Sequence, residues 1–205
     1  MNDTSLTPKA FSLGKTFAGG LLAAALPLMA GQAQASDYVI DTKGQHAFIQ
    51  FKISHLGYSY VLGEFKDFTG TFRYDEGQPE ASSVKVEVDV DSLDSAHAER
   101  DKHIKSADFL DASEYPTASF VSTGFTSSGD GAGKLTGDLT LHGETQPITI
   151  DVDHIGGGED PWGGYRQGFE GTTTLKLADY GIDTSKLGPA AATVDMYLVV
   201  EGIRQ

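Results

Sequence analysis

The chain has 205 residues, no cysteine and a formal net charge of −14. A negative field of that size repels phosphate backbones and anionic lipid surfaces, which argues against a nucleic-acid-binding protein. Without cysteine the chain has no disulfide and no thiol nucleophile, so its fold must rest on a hydrophobic core.

The first 35 residues have the features of a cleaved secretory signal peptide. Lys9 and Lys15 precede an apolar run over residues 16–30, and Ala33-Gln34-Ala35 supplies small residues for a cleavage site. The run is shorter than the roughly 20 apolar residues of a membrane-spanning helix. We therefore expect a cleaved signal over residues 1–35, a single mature domain over residues 36–205, and a periplasmic location, with secretion to the medium as the alternative.

The mature chain follows, almost throughout, the two-residue alternation of half-buried β-strands. In residues 46–55, Ala47, Ile49, Phe51 and Ile53 fall on one face, and Gln50, Lys52 and Ser54 fall on the other. The same alternation recurs over residues 58–66, 68–74, 84–90, 135–141, 148–152, 169–175 and 194–200, and Phe120 opens a further strand that ends at the Gly-rich turn of residues 127–133. Lys66-Asp67 is predicted to form a turn. Most connections are short, so neighbours in sequence should pair antiparallel.

An open sheet of such strands would expose two unpaired edges, and closure into a barrel removes both. The predicted fold is therefore all-β: a lipocalin-like, extended eight-stranded antiparallel barrel with one short helix between strands. A β-sandwich remains the alternative, because both architectures produce the same alternating pattern.

One segment, residues 94–120, breaks the alternation. It predicts a charged helix from about Ser95 to Lys105, a buried hook at Phe109-Leu110, and a return to extended chain at Tyr115-Pro116. The apolar stripe of the predicted helix is too thin for a core helix. We therefore expect the segment to lie across one end of the barrel and close it.

The polar residues of that helix are the candidate mouth of the barrel. Arg100, Asp101 and His103 are predicted to gate a ligand or contact its head group. Trp162, in the Gly-rich segment 154–164 that is predicted to be a loop, is a second candidate lid.

Four inward-facing glycines, Gly63, Gly70, Gly137 and Gly171, have two interpretations. They can permit the strands to coil, or they can open a tunnel along the barrel. The predicted ligand-binding residues on the inward faces are Phe51, Ile53, Phe72, Val86, Val88, Phe120, Leu139, Ile150, Phe169, Leu175 and Met196. Such a lining suits an alkyl or isoprenoid chain, since each buried CH₂ contributes about 0.8 kcal/mol.

Catalytic and metal-binding motifs are missing from the sequence. There is no Gly-x-Ser-x-Gly elbow, no His-Glu-x-x-His and no phosphate-binding Gly-rich loop. His97 and His103 are six residues apart, so on a helix they would face different sides and do not suit a shared metal. We expect no catalytic residue, no metal and no cofactor.

A set of short motifs runs through the whole mature chain. The motifs are Tyr38-x-Ile40-Asp41, Phe51-x-Ile53-x-His55-x-Gly57, Gly63-x-Phe65, Phe68-x-Gly70-x-Phe72, Arg100-Asp101-x-His103-Ile104-x-Ser106-x-Asp108-Phe109, Tyr115-Pro116-x-Ala118-x-Phe120, Gly137-x-Leu139-Thr140-x-His142-Gly143 and Asp179-Tyr180-Gly181-Ile182. On these motifs the chain resembles the YceI-like family of periplasmic polyisoprenoid-binding proteins.

The resemblance implies a lipocalin-like barrel whose apolar cavity binds a polyisoprenoid, such as a prenylated quinone or a prenyl diphosphate, for carriage or storage. It implies no established enzymatic activity. A membrane redox protein is a candidate partner. Two alternatives remain open: an enzyme or isomerase acting on such a lipid through Arg100, Asp101 and His103, and a filled barrel that serves protein contacts.

Overall fold

The computed structural model describes residues 1 and 35–205. Its strands are β1 (Ser36–Ile40), β2 (Phe48–His55), β3 (Ser59–Phe65), β4 (Phe68–Tyr74), β5 (Ser83–Asp89), β6 (Leu93–Asp94), β7 (Thr117–Gly129), β8 (Ala132–Leu141), β9 (Glu144–Glu159), β10 (Tyr165–Lys176) and β11 (Thr193–Arg204). The described residues also form α1 (Ala98–Ile104) and 3₁₀ turns at Pro79–Ala81, Val90–Ser92, Leu177–Tyr180, Ser185–Leu187 and Pro189–Ala191.

The predicted signal peptide falls mainly on residues 2–34, which lie outside the described residues, so its cleavage site stays a prediction. Within residues 35–205, no helix combines the length and the apolar character needed to cross a bilayer.

The eleven strands occupy eight positions in the sheet, because at three positions two strands lie in line. β1 and β2 run in the same direction along β11, beside its residues 202–204 and 194–199 respectively. β3 and β4 follow beside them, β3 pairing with β2 and β4 with β1. β5 then pairs with β4 while β6 pairs with β3.

Pairing of β1 with both β4 and β11 closes the sheet into a barrel. The remaining positions pair antiparallel in sequence order, from β5 through β7, β8, β9 and β10 to β11. The structure therefore confirms the predicted eight-stranded antiparallel barrel and its single short helix, and it rules out the β-sandwich.

The predicted turn at Lys66-Asp67 does not reverse the chain. β4 continues in the direction of β3, and these two residues form a kink between them. The Lys66 amide donates to the Ser92 carbonyl at 3.3 Å and the Asp89 amide donates to the Asp67 carbonyl at 2.9 Å. The kink between β3 and β4 thus lies beside the break between β5 and β6. Two polar residues that interrupt the alternation are typical both of a kink and of a chain reversal, so the sequence pattern could not distinguish between these two structures.

The two ends of the barrel differ in how they are covered. What we call the helix end carries α1, the β2–β3 turn and the irregular residues 177–192. The opposite end carries the β7–β8 and β9–β10 turns. α1 is shorter than predicted, because Ala96 has a φ of 62° and His97 is extended. The helix therefore begins after His97, whose Nδ1 accepts a hydrogen bond from the Arg100 amide at 3.3 Å.

An ion cluster on the outer wall joins three strands around Arg166. Arg166 Nη1 donates to Asp41 Oδ2 at 2.7 Å and also to Glu201, and its Nε donates to Asp160 Oδ2 at 2.9 Å. The cluster connects β10 to the end of β1, to β11 and to the β9–β10 turn. The hydrogen bond from Arg166 is the largest effect holding the pKa of Asp41 below its usual value.

The Asp41 carboxylate should make stability depend on pH below about 4. Because its pKa is lower in the folded protein, its contribution is present above the unfolded pKa, about 3.9, and is lost as pH falls through the folded value. We expect the stability lost in Asp41→Asn to be constant near neutral pH and to shrink below about pH 4. Urea denaturation of both proteins between pH 3 and 7 measures this difference. A difference that does not change with pH would contradict the assignment, and Glu87→Gln on the exposed wall is the control.

Candidate functional site

The barrel encloses an apolar cavity of about 520 Å³. Along β11 its lining extends from Val194 to Val200, which is about 20 Å at the rise of a strand residue. Four lining residues, His55, Leu56, His103 and Lys186, are also exposed, and all four lie at the helix end. The cavity therefore meets solvent at that end, and these four residues define its mouth. Its volume lies within the range of about 300–1,000 Å³ that is typical of small-ligand sites.

Most of the side chains predicted to hold a ligand chain lie on the cavity wall. Those that line it are Phe51, Ile53, Val86, Val88, Phe120, Leu139, Ile150, Leu175 and Met196. Apolar neighbours at inward positions of the same strands, such as Ile49, Val61 and Leu198, line it as well, although the sequence analysis did not select them. Their position in the alternation was the signal that could have found them.

Phe72 and Phe169 were also predicted to line the cavity, but they lie outside it. Phe72 stacks on Tyr38 with ring centroids 4.8 Å apart, and Phe169 meets Phe72 edge-on at 5.6 Å. These rings fill the barrel toward the opposite end, with Ala47 and Phe68 in the same core cluster. Alternation had assigned both residues to the inward face, but it carries no information about height along the barrel axis.

The inward glycines give room to neighbouring side chains. A Cβ on Gly63 would lie 2.4 Å from the Phe51 ring, and one on Gly137 would lie 2.4 Å from the Phe120 ring. Both rings line the cavity. These two glycines therefore let aromatic rings that line the cavity lie close against the barrel wall.

The predicted mouth residues of α1 do not act alike. Arg100 and His103 line the cavity, whereas Asp101 does not. Asp101 Oδ1 instead accepts a hydrogen bond from the Ser95 amide at 2.8 Å, and Arg100 Nε donates to Ser95 Oγ at 2.7 Å. His103 packs edge-on against Phe109 at 5.0 Å and lies 3.2 Å from an Asp108 carboxylate oxygen. Asp101 therefore holds the start of the helix and leaves Arg100 and His103 beside the mouth.

Trp162 lies at the opposite end and does not contribute to the cavity lining, so the second predicted lid is not positioned to cover the mouth. Its side chain is 78% exposed in the turn between β9 and β10, with the Arg166 guanidinium 5.5 Å from its ring centroid. The Gly-rich segment had been predicted to be a loop, but β9 continues through it to Glu159.

The irregular segment after β10 supplies cavity-lining residues that sequence reasoning missed, among them Lys186 of the mouth. Ile182, Thr184, Lys186 and Leu187 all line the cavity at the helix end. The segment has no strand or helix periodicity, so only its unusual length between two strands could have drawn attention to it. In the described part of the chain, the basic side chains that line the cavity are Arg100 and Lys186, with the histidines His55 and His103 beside them, and no Asp or Glu lines it.

One cluster outside the barrel resembles a metal site in composition. Ligand atoms of Asp41, His46 and Glu201 lie within 4.8 Å of one another. Arg166 already donates hydrogen bonds to both carboxylates, and its charge opposes a second cation there. The cluster is therefore an ion-pair network in which the Arg166 guanidinium supplies the positive charge beside Asp41 and Glu201.

Tyr180, in the 3₁₀ turn Leu177–Tyr180 at the helix end, has a buried hydroxyl that lowers stability. Its side chain is 1% exposed, its hydroxyl has no hydrogen-bond partner among the described residues, and burial raises its pKa to about 12. We expect Tyr180→Phe to raise the free energy of unfolding by about 1 kcal/mol, because it removes a buried unpaired hydroxyl. Urea denaturation measures the change, with Tyr115→Phe as the control. A loss of stability would show that the Tyr180 hydroxyl makes a hydrogen bond in solution.

The chain is similar to proteins of known sequence and structure. It is 60% identical over 178 residues to a UPF0312 protein of Ectopseudomonas mendocina, covering 87% of this chain and 93% of that relative. The structure of BcnA from Burkholderia cenocepacia has a TM-score of 0.70 at 22% identity, covering 79% of this chain and 98% of BcnA.

A polyisoprenoid binding domain from Saccharophagus degradans has a TM-score of 0.61 at 15% identity, covering 82% of this chain and 98% of that domain. At these identities the two structures bear on the fold alone. The YceI-like domain matches residues 38–201, which is nearly the whole of the barrel. This chain therefore belongs to the YceI-like domain family.

Proposed function

We propose that this protein binds a polyisoprenoid or a similar long-chain lipid in the barrel cavity and carries or stores it in the periplasm. The chain of the lipid lies among the strand side chains, and its head group lies at the mouth. The two candidate classes of ligand are prenylated quinones and prenyl diphosphates. A protein of this kind binds its ligand unchanged and is not an enzyme.

The observation that carries the proposal is the polarity of the cavity. Apart from Ser54, His55, Ser119 and Thr173, the strand side chains that form its wall are apolar, while Arg100, His103 and Lys186 all lie at the helix end. An apolar chain gains about 0.8 kcal/mol for each CH₂ that leaves water, so the wall favours a long hydrocarbon. A charged or strongly polar ligand group would be costly inside the barrel and can be hydrated or paired at the mouth.

The mouth favours a polar or anionic head group. Arg100 and Lys186 are basic, and no acidic side chain lines the cavity among the described residues. Guanidinium and ammonium groups donate hydrogen bonds to phosphate or carbonyl oxygens. If the head group is a quinone, a membrane redox protein is the partner with which the ligand would be exchanged.

The Saccharophagus degradans structure is that of a polyisoprenoid binding domain with the same fold, so the proposed ligand class is one that a barrel of this fold holds in that protein. The enzyme alternative has less support from the geometry. Two of its three candidate groups, Arg100 and Asp101, are engaged with Ser95. The third, His103, lies against Asp108 and Phe109 at the mouth.

Native mass spectrometry of protein purified without detergent tests the proposal. We expect a protein-lipid complex whose added mass matches a prenyl lipid recovered by organic extraction. Recovery of empty polypeptide alone would contradict the proposal. Cell fractionation and the mass of the mature N-terminus test the location separately, with cleavage after Ala35 as the expected result.

A further inference from the structure

We propose that the β2–β3 hairpin is a membrane-docking element that brings the mouth of the cavity to the surface of a lipid bilayer. The mouth hairpin, defined as residues 54–63, contains no Asp, Glu, Lys or Arg. Charged residues make up 21% of the chain, but this exposed hairpin carries none. This inference rests on the proposed lipid-binding function and adds the surface from which the lipid is collected.

Apolar and aromatic side chains of the mouth hairpin extend into solvent. The exposed fractions are 49% for Leu56, 86% for Tyr58, 65% for Tyr60 and 64% for Leu62. Tyr58, Tyr60 and Leu62 lie at alternate positions and share the outer face of the hairpin, while Val61 faces the cavity. Tyrosine rings with neighbouring leucines are typical of the boundary between lipid and water, where one end of the ring is apolar and the other is hydrated.

At the tip of the hairpin, Leu56 adopts a left-handed backbone conformation that leucine disfavours. Leu56 has a φ of 54° and Gly57 a φ of 78°, and the Tyr58 amide donates to the His55 carbonyl at 2.9 Å. Two consecutive positive φ angles are typical of a tight hairpin turn that favours Asn, Asp or Gly. A bulky leucine in that conformation costs stability without gaining a buried position. An apolar contact made by the tip with another surface would account for it.

The apolar surface is continuous with the cavity. Leu56 is half-exposed and also lines the cavity, as do its neighbours His55 and Ser54. A bilayer in contact with the tip would therefore lie directly beside the mouth. A long-chain lipid could then pass between bilayer and barrel with little exposure of its chain to water, which lowers the cost of transfer.

A bilayer fits this surface better than a protein strand does. In the described part of the chain, β6 pairs only with Glu64 and Phe65, so residues 59–63 have no strand on the side away from β2. A partner strand along that edge would leave Leu56 and Tyr58 at the tip uncovered, whereas a bilayer interface covers the tip and the tyrosines together. The net charge of −14 opposes anionic membranes, so the expected partner is a zwitterionic surface.

Vesicle flotation with phosphatidylcholine tests the inference in the full protein. The test variant is Tyr58→Ser with Leu62→Ser, because both side chains are exposed on the outer face of the hairpin and neither lines the cavity. The control variant is Val121→Ser with Ile155→Ser, which removes two exposed apolar side chains elsewhere on the barrel wall. We expect the test variant to bind vesicles at least about tenfold more weakly than the wild type and the control variant to match it.

A fluorescence measurement locates the contact. Trp162, the only tryptophan, lies at the opposite end and should not respond to vesicles. In the reporter variant, Tyr58→Trp with Trp162→Phe, the emission should shift to the blue when phosphatidylcholine vesicles are added. Equal flotation of the test variant and the wild type, or no blue shift in the reporter variant, would overturn the inference. The inference would also be overturned if the wild type sedimented as a dimer and the test variant as a monomer, because the hairpin would then contact a second copy of the chain.

Binding of solanesol, a nonaprenyl alcohol, separates this inference from the proposed function. The test variant should bind solanesol normally when it is added without vesicles and should take it up about tenfold more slowly from vesicles. Failure of the wild type to bind solanesol or any other prenyl lipid would contradict the proposed function while flotation still reports docking. Normal uptake from vesicles by a variant that no longer floats would contradict the docking role alone.

Discussion

Replacing Val88 with Trp should weaken binding of a prenyl lipid about 100-fold while the barrel stays folded. Val88 lies on β5, between Phe68 of β4 and Ala118 of β7, and its side chain lines the cavity. It is partly exposed because it faces the open lumen, so the indole can extend into the cavity without displacing packed neighbours. The ring would occupy volume that the lipid chain needs.

The affinity for solanesol should fall about 100-fold. The indole would exclude three or four CH₂ groups of the lipid from the cavity, and each contributes about 0.8 kcal/mol to the free energy of binding. Isothermal titration or native mass spectrometry with solanesol measures the affinity, and thermal unfolding reports the fold. Val121→Trp is the matched control, because Val121 lies on β7 with an outward side chain that is 46% exposed. Unchanged binding in a folded Val88→Trp would show that the cavity is not the binding site.

Sequence alone predicted the barrel because its strands have one buried face, which gives a two-residue period wherever they run. The same reasoning assigned Phe51 and Phe72 equally to the inside. It could not separate them, because Phe51 lines the cavity and Phe72 fills the barrel at a different height. Height depends on the register between strands, which is set by pairing partners far apart in sequence.

The mouth was the least predictable part of the site. Arg100 and His103 were found because they lie in a segment that breaks the alternation, but Asp101 beside them turns to Ser95. Lys186 and Leu187 lie in irregular chain, where no period indicates which side chains face the cavity. Trp162 was selected for its setting among glycines, yet strand order places its turn at the opposite end.

The mouth hairpin shows a related limit of pattern reasoning. The alternation correctly gives two faces to β3, with Val61 inward and Tyr60 outward. It does not show that β6 is too short to cover the edge of residues 59–63. The exposed position of this uncharged hairpin beside the mouth follows only from the pairing of strands that lie about 30 residues apart, as in the contact of Phe65 with Leu93.

Replacing Arg166 with Met should cause the largest loss of stability among these variants, about 3 kcal/mol, because it leaves the Asp41 carboxylate without its main partner. Asp41 is 8% exposed, and Arg166 joins it to Asp160 and Glu201 across the strands that close the barrel. Methionine keeps much of the aliphatic length of the side chain, so lost packing contributes little. Urea denaturation at pH 7 measures the loss, and Arg73→Met on the exposed face of β4 is the control.

The double variant Arg166→Met with Asp41→Asn identifies the cause of that loss. If the cost arises from an uncompensated carboxylate, neutralising Asp41 should restore part of the stability, and the two substitutions should couple by at least about 1 kcal/mol. Asparagine can still accept the hydrogen bond that the Gly44 amide donates to Asp41 at 2.8 Å, so the turn after β1 keeps its local contact. Additive losses would instead show that Arg166 stabilises the barrel through Asp160 and Glu201. Because β1 closes the barrel through only three residue pairs with β11, a cluster at their junction is well placed to set the stability of the closed sheet.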